Sequence, residues 1–382
     1  MVGPCQPPDV EGYVAAISQL SEGLGWPILS DALNPLRNFA AQLPGLICHY
    51  DGILRQAPEL NPRDPEQRDP DQLAAHTAAS GLVPTTVLRL GELPTSKVLR
   101  QWLAQLSCEQ WIVSDRPGNF DPLHGPSRHL RCDLGHLAAQ LSGSIPRQVS
   151  SPVPRPDSNY RKRWLALDRQ AEAAIDRAMA PLETLREPKL PWLLSQHLPE
   201  KTPLFIANST PVRDLEWFWR RGDRAILPYV NRGANGIDGT LSTALGIAHR
   251  NRPSVMVTGD LALLHDTNGW LLSPQLQGHL TIILLNNNGG GIFELLPIAR
   301  FDPPFEQFFA APQRVDFAPL CQAYGATYEQ ILDWEQLRSR LNPLPTQGIR
   351  LLEIQSDRKG DVAWRSQLLQ SVLAHDVNPS FR

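Results

Sequence analysis

No run of this 382-residue sequence reaches the roughly 18 to 20 uninterrupted apolar residues that a membrane-spanning helix requires, so no span is expected. Cysteine is scarce. The five, Cys5, Cys48, Cys108, Cys132 and Cys321, form no C-x-x-C pair and leave one thiol over, which argues against a disulfide framework and for a reducing, cytoplasmic setting. Cation is not in excess: 36 Lys and Arg face 39 Asp and Glu, a formal charge of −3, so nothing favours a phosphate backbone, and nucleic acid is not an expected partner. Met1 to Asp9 lack the basic start and apolar run of a secretory leader. There is no G-x-G-x-x-G, so a bound dinucleotide is not indicated.

What is present is ordinary globular composition, 42% hydrophobic and 20% charged, over a length that suits two or three domains. Proline is the exception, with 36 residues against a usual share of roughly 5%. Many lie in two clusters. Asn61–Gln72 is charged and free of large apolar residues, and reads as a solvated excursion. Ser144–Pro156 has prolines spaced against both helix and central strand, and reads as a linker. A domain boundary is expected there, between residues 1–150 and 151–382.

Before that linker, apolar runs at Trp26–Leu29, Thr86–Leu90 and Gln110–Val113 alternate with helical patterns at Tyr13–Leu24 and Ser96–Leu106, which is α/β alternation. After it, Trp164, Ala171, Ile175, Met179 and Leu182 recur at helical spacing. Strand candidates follow at Leu204–Asn208, Ala225–Val230, Ser254–Gly259, Leu280–Asn286 and Arg350–Ile354. These runs are apolar on both faces, as parallel strands between helices must be, so the second half reads as a doubly wound parallel sheet. Ligands in such sheets bind at the carboxyl ends of strands.

Two of those ends carry chemistry. Ser254–Gly259 runs into Asp260-Leu261, and Leu280–Asn286 runs into Asn287-Asn288-Gly289-Gly290-Gly291. A carboxylate, an amide oxygen and a backbone carbonyl are the hard ligands that suit Mg²⁺ or Ca²⁺ held together with phosphate, and glycine lets backbone come close to the phosphate. Singly, Asp260 reads as a helix cap and the Asn/Gly run as a turn. Their joint occurrence at two strand ends favours a metal–phosphate site. Gly233–Gly239 alone is a weak signal, since glycine-rich loops are common.

The Gly259-Asp260 … Asn286-Asn287 pattern resembles the thiamine diphosphate motif of the thiamine-dependent enzymes. Four segments, Asn208–Arg213, Asn231–Gly239, Gly259–Gly269 and Asn286–Pro297, resemble one family closely: the 2-succinyl-5-enolpyruvyl-6-hydroxy-3-cyclohexene-1-carboxylate synthases of menaquinone and phylloquinone biosynthesis. Before the linker the likeness is looser and rests on Thr95–Trp102, Trp111–Asp115 and Phe120–His124.

The resemblance implies two doubly wound α/β domains: a central Rossmann-like domain at 1–150 and a diphosphate-binding domain at 151–382. It implies thiamine diphosphate with Mg²⁺ or Mn²⁺, the metal held by Asp260, Asn287 and the Gly289 carbonyl. Gly259, Leu261 and Gly290 would border the cofactor. Ile237 would be the apolar wedge that bends it, and Ile292, Phe293 and Leu296 would line the apolar side. Ser209, Arg213 and Arg232 would hold substrate carboxylates, joined by Lys97, although Val98 stands where a second basic residue is expected.

The implied reaction decarboxylates 2-oxoglutarate and adds its succinyl-semialdehyde unit to isochorismate, in a homodimer or homotetramer. It also calls for a glutamate from a pyrimidine-binding domain, and the segment that begins Met1-Val-Gly-Pro-Cys5 matches the start of the family's central domain instead. The expectation is therefore a chain that lacks that domain and alone binds at most the diphosphate half of the cofactor. Two other readings stay open: another 2-oxoacid decarboxylase or acetolactate-type synthase, against which Arg213 and Arg232 argue, and a non-catalytic cofactor-binding fragment. His249 and His265 carry no assignment.

Overall fold

The computed structural model describes residues 1–55, 81–115, 118, 121–144 and 158–373. The charged excursion Asn61–Gln72, nearly all of the proline-rich stretch, the expected boundary at 150 and Phe120 lie outside the described residues. The chain divides into two compact units. The first comprises Met1–Arg177 with Arg220–Asp223 and the described residues 369–373; the second comprises Ala178–Trp219 and Arg224–Leu368. The division thus falls after Arg177, because the helix Ser158–Met179 contributes to the first unit: its Asp168 accepts the backbone N–H groups of Cys48 and His49 at 2.9 and 2.8 Å.

In the first unit, β1 (Ile28–Leu29) pairs with β2 (Leu46–Ile47), and β3 (Thr86–Leu90), β4 (Glu109–Val113) and β5 (Ser127–Leu130) form a second sheet, every pair parallel. Val2 bridges both Ser30 and Leu90 and so links the two sheets. The helix Val10–Leu24 shows how local sequence sets these elements. Asp9 caps it by accepting the Gly12 N–H, Val14, Ile17 and Leu20 bury one stripe, and Gly25 ends it at φ 67°, a left-handed position that glycine adopts without strain.

The second unit is built on six parallel strands in the order β10-β11-β9-β8-β6-β7, where β6 is Pro203–Ile206, β7 Leu227–Tyr229, β8 Ser254–Gly259, β9 His279–Asn286, β10 Thr327–Ile331 and β11 Gly348–Gln355. The central strands are buried along nearly their whole length, which requires cover on both faces. Leu241, Leu245 and Trp270 pack with Met256, Ile282 and Leu284 in one apolar cluster. The chain leaves β6 outward to β7 and then returns to β8 on β6's other side, so the strand order reverses between β6 and β8. Clefts open at such switch points.

Candidate functional site

A cleft of about 270 Å³ lies in the second unit, lined from the ends of β6, β7, β8 and β9. It gathers Ser209, Arg213, Arg232, Ile237, Gly259, Asp260, Leu261, Asn287, Gly289, Gly290, Ile292 and Phe293. Leu296, expected on the apolar wall, is not among these residues: it follows the tight turn Gly291–Leu295 in extended backbone and stands 47% exposed. Lys97 belongs to the first unit, exposed as the first residue of the helix Lys97–Gln105 that Ser96 caps.

β8 and β9 are direct neighbours, with Gly259 opposite Leu285, so their ends deliver Asp260 and Asn287 side by side. Asp260 is buried, and its oxygens accept the N–H groups of Leu261 (2.9 Å) and Gly289 (2.7 Å). Burial outweighs those bonds and the nearby Arg358 charge and pushes its pKa up to about 6. Asn287 gives its amide nitrogen to Glu187 Oε1 at 2.6 Å, while its buried Oδ1 accepts no hydrogen bond among the described residues. A buried carboxylate beside an orphaned amide oxygen fits a hard divalent cation, which would satisfy both. The Gly289 carbonyl already accepts the Gly291 N–H at 2.9 Å and keeps a second lone pair for such an ion.

The glycines are sterically required. Gly289 sits at φ 134°, and a Cβ there would come within 2.3 Å of the Ala310 carbonyl oxygen; one on Gly290 would come within 2.6 Å of the Phe309 carbonyl. The Gly290 N–H donates to that Ala310 carbonyl at 2.7 Å, which ties the turn to the segment Glu306–Ala310. Arg358 fastens the same region, donating to Glu294 and to both oxygens of Glu306 at 2.7 Å. Phe293 meets Phe309 edge to face at 5.7 Å, which holds the apolar wall.

Two arginines face the cleft from β6 and β7. Ser209, just past β6, adopts φ 77°, a left-handed conformation that costs a non-glycine residue energy and is found at functional turns. Its carbonyl accepts Arg213 Nη1 at 2.6 Å. Arg232 donates to Asn208 Oδ1 at 3.0 Å, and Asn208 in turn donates to the Asn231 and Gly236 carbonyls. Both guanidinium groups are thus oriented. Asn286 is structural: its amide nitrogen donates to Glu353 Oε1 at 2.6 Å and its oxygen accepts the Asn288 N–H at 3.2 Å. His265 and His249 lie at the ends of short helices, outside the lining.

Sequence reasoning missed Glu187. It lines the cleft and is 2% exposed, and burial pushes its pKa up to about 7 against the pull of Arg365. Arg365 is itself buried and forks onto Asp214 at 2.5 and 2.7 Å. No local motif marks this cluster; its members stand in four separate segments of the chain.

Comparison with known proteins agrees with this geometry. Residues 216–353 match the family described as thiamine pyrophosphate enzyme, C-terminal TPP binding domain. The chain is 52% identical over 373 residues, 98% of its length, to the 2-succinyl-5-enolpyruvyl-6-hydroxy-3-cyclohexene-1-carboxylate synthase of Synechococcus elongatus. It is 48% identical to those of Trichodesmium erythraeum over 98% of its length and Microcystis aeruginosa over 95%. It spans about 60% of the length of these curated relatives. By sequence, the chain is similar over nearly its whole length to the 2-succinyl-5-enolpyruvyl-6-hydroxy-3-cyclohexene-1-carboxylate synthases, and its residues 216–353 carry the thiamine pyrophosphate enzyme C-terminal domain.

Proposed function

We propose that this chain serves a thiamine diphosphate-dependent transferase that decarboxylates 2-oxoglutarate and joins the succinyl-semialdehyde unit to isochorismate, on the route to menaquinone or phylloquinone. One juxtaposition carries the reading: Asp260 and Asn287 at adjacent strand ends share a cleft with Arg213 and Arg232. Bound thiamine diphosphate would supply the electron sink for decarboxylation. Asp260, Asn287 and the Gly289 carbonyl would hold the Mg²⁺ or Mn²⁺ that clamps its diphosphate, with Gly259, Leu261 and Gly290 beside it. Ile237 would support its bend.

Both substrates carry several carboxylates. An arginine fork grips a carboxylate through two parallel bonds and keeps its charge, and each charge-assisted bond contributes about 1.5–3 kcal/mol. Arg213 and Arg232, already oriented by Ser209 and Asn208, would hold these groups with Ser209. Ile292 and Phe293 would exclude water from the reacting centre, which strengthens each of these charge interactions. The working form would be a homodimer or homotetramer that includes a pyrimidine-binding domain, in the cytoplasm, where five free thiols persist. Among the described residues no helix is long and apolar enough to cross a membrane.

The test is to purify the protein from its native cells and supply both substrates, thiamine diphosphate and Mg²⁺. Product should form only with all four present. Turnover of pyruvate at an equal rate, or product formation without the cofactor, would refute the proposal.

A further inference from the structure

We infer that Glu187 is a positioning residue for the cation site: it fixes which face of the Asn287 amide meets the metal. The inference rests on the metal–diphosphate reading of the cleft and deepens it. An asparagine side chain is nearly symmetric in shape but not in chemistry, and only its oxygen can ligate Mg²⁺. Something must keep that oxygen turned toward the ion and the NH₂ turned away.

Glu187 does this. Its Oε1 receives two donors, Asn287 Nδ2 at 2.6 Å and Ser356 Oγ at 3.2 Å, and so remains an acceptor whether or not its other oxygen carries a proton. Arg365 Nη2 stands 3.4 Å from that other oxygen and discourages any rotation that would bring a donor there. Turning the Asn287 amide over would set its oxygen against Glu187 Oε1, lone pair to lone pair, in a place shielded from water. Asn287 Oδ1 is consequently left buried and without a protein donor, the condition a metal ligand needs. Glu187 is itself held from behind, because its own backbone N–H donates to Asp361 Oδ2 at 3.0 Å and Asp361 pairs with Arg186 at 3.0 Å.

The same Arg365 forks onto Asp214, the residue after Arg213, so one buried guanidinium joins the metal side of the cleft to the helix Thr210–Phe218 that carries the substrate arginine. Groups that orient ligands in this way typically account for about 10–100-fold in metal affinity.

The experiment is a calorimetric titration of Mg²⁺ into the full chain in the presence of thiamine diphosphate, for the wild type and for Glu187→Gln, with Asp260→Ala as reference. Glu187→Gln nearly preserves shape but replaces one of two acceptors with a donor, so Asn287 and Arg365 compete for the single oxygen left. We expect the Mg²⁺ concentration at half-saturation to rise about 10–100-fold while the melting temperature of the metal-free chain changes little. Asn287→Asp alone sets a carboxylate against Glu187, and adding Glu187→Gln to it restores a donor–acceptor pair, so Glu187→Gln should raise Mg²⁺ affinity in that background, a reversal of sign that a merely structural glutamate would not give. Wild-type affinity in Glu187→Gln beside weakened binding in Asp260→Ala would overturn this inference alone, as would a double variant no better than Asn287→Asp. Binding of thiamine diphosphate that ignores Mg²⁺ in the wild type would overturn the metal reading and this inference with it.

Discussion

In the first unit two buried aspartates, Asp168 and Asp121, are saturated by the protein itself, whereas in the second a buried amide oxygen, that of Asn287, stops one partner short at a cleft. Asp168 accepts two backbone N–H groups and the Arg221 guanidinium at 2.6 Å, and Arg89 pairs with Asp121 at 2.8 Å, where Leu123 N–H and Ser127 Oγ add further bonds. In the second unit, Asp260 meets backbone N–H groups while Asn287 Oδ1 has no donor among the described residues. A saturated carboxylate holds its loop in place, and an unsatisfied amide oxygen at a strand end is one that a bound cation could satisfy.

Breaking this contrast should have its largest effect at Asp260. Asp260→Ala is expected to abolish Mg²⁺-dependent binding of thiamine diphosphate, a loss above about 100-fold by calorimetry, because it removes an anionic ligand outright. Unchanged affinity would show that the unsaturated site is not a metal site. The matching change in the first unit is Asp168→Ala, which strands two buried N–H groups and a partly buried arginine. It should cost about 3 kcal/mol, read as faster amide hydrogen exchange at Cys48 and His49, with no shift in Mg²⁺ half-saturation in the presence of thiamine diphosphate.

Arg232→Ala sharpens the division of labour inside the cleft. It should weaken handling of one anionic substrate by about 10–100-fold, the equivalent of one or two charge-assisted bonds, and leave cofactor affinity intact. Steady-state kinetics with each substrate varied in turn would reveal unaltered values if the arginine holds no carboxylate.

The smallest effect is a pH dependence in the first unit. Burial holds His49 neutral, its pKa lowered from 6.5 to about 3, and among the described residues neither ring nitrogen has a hydrogen-bond partner. The unfolded chain thus binds a proton that the folded chain refuses. The contribution is fully favourable above the unfolded value and falls as pH drops below it, with a limiting slope of about 1.4 kcal/mol per pH unit. Comparing denaturation of the wild type with His49→Leu between about pH 7 and pH 5 cancels the other titrating groups. Parallel curves would contradict the assignment.

Much of the second unit was legible because its signals are local. Ser254–Gly259 coincides with β8, Leu280–Asn286 falls within β9 one residue short, and each is an apolar run too short for a helix and too uniform for a half-exposed strand. β10 was not read: Thr327–Ile331 is an edge strand whose first four residues are only partly covered, so it has no apolar signature. β2, with two residues, and β5, polar and half-exposed, left no signature for the same reasons. Asp260 and Asn287 could be found because each follows a strand directly. Glu187 and Arg365 could not, since their roles depend on contacts 100 and 151 residues away along the chain.

The central claim is that the cleft of the second unit is completed by a cation and a diphosphate. It is tested most directly by titrating thiamine diphosphate into the wild-type chain with Mg²⁺ and again with the ion removed by a chelator. Saturable binding that disappears with the ion is the result expected here. Equal binding in both conditions would mean that Asp260 and Asn287 are unsaturated for another reason.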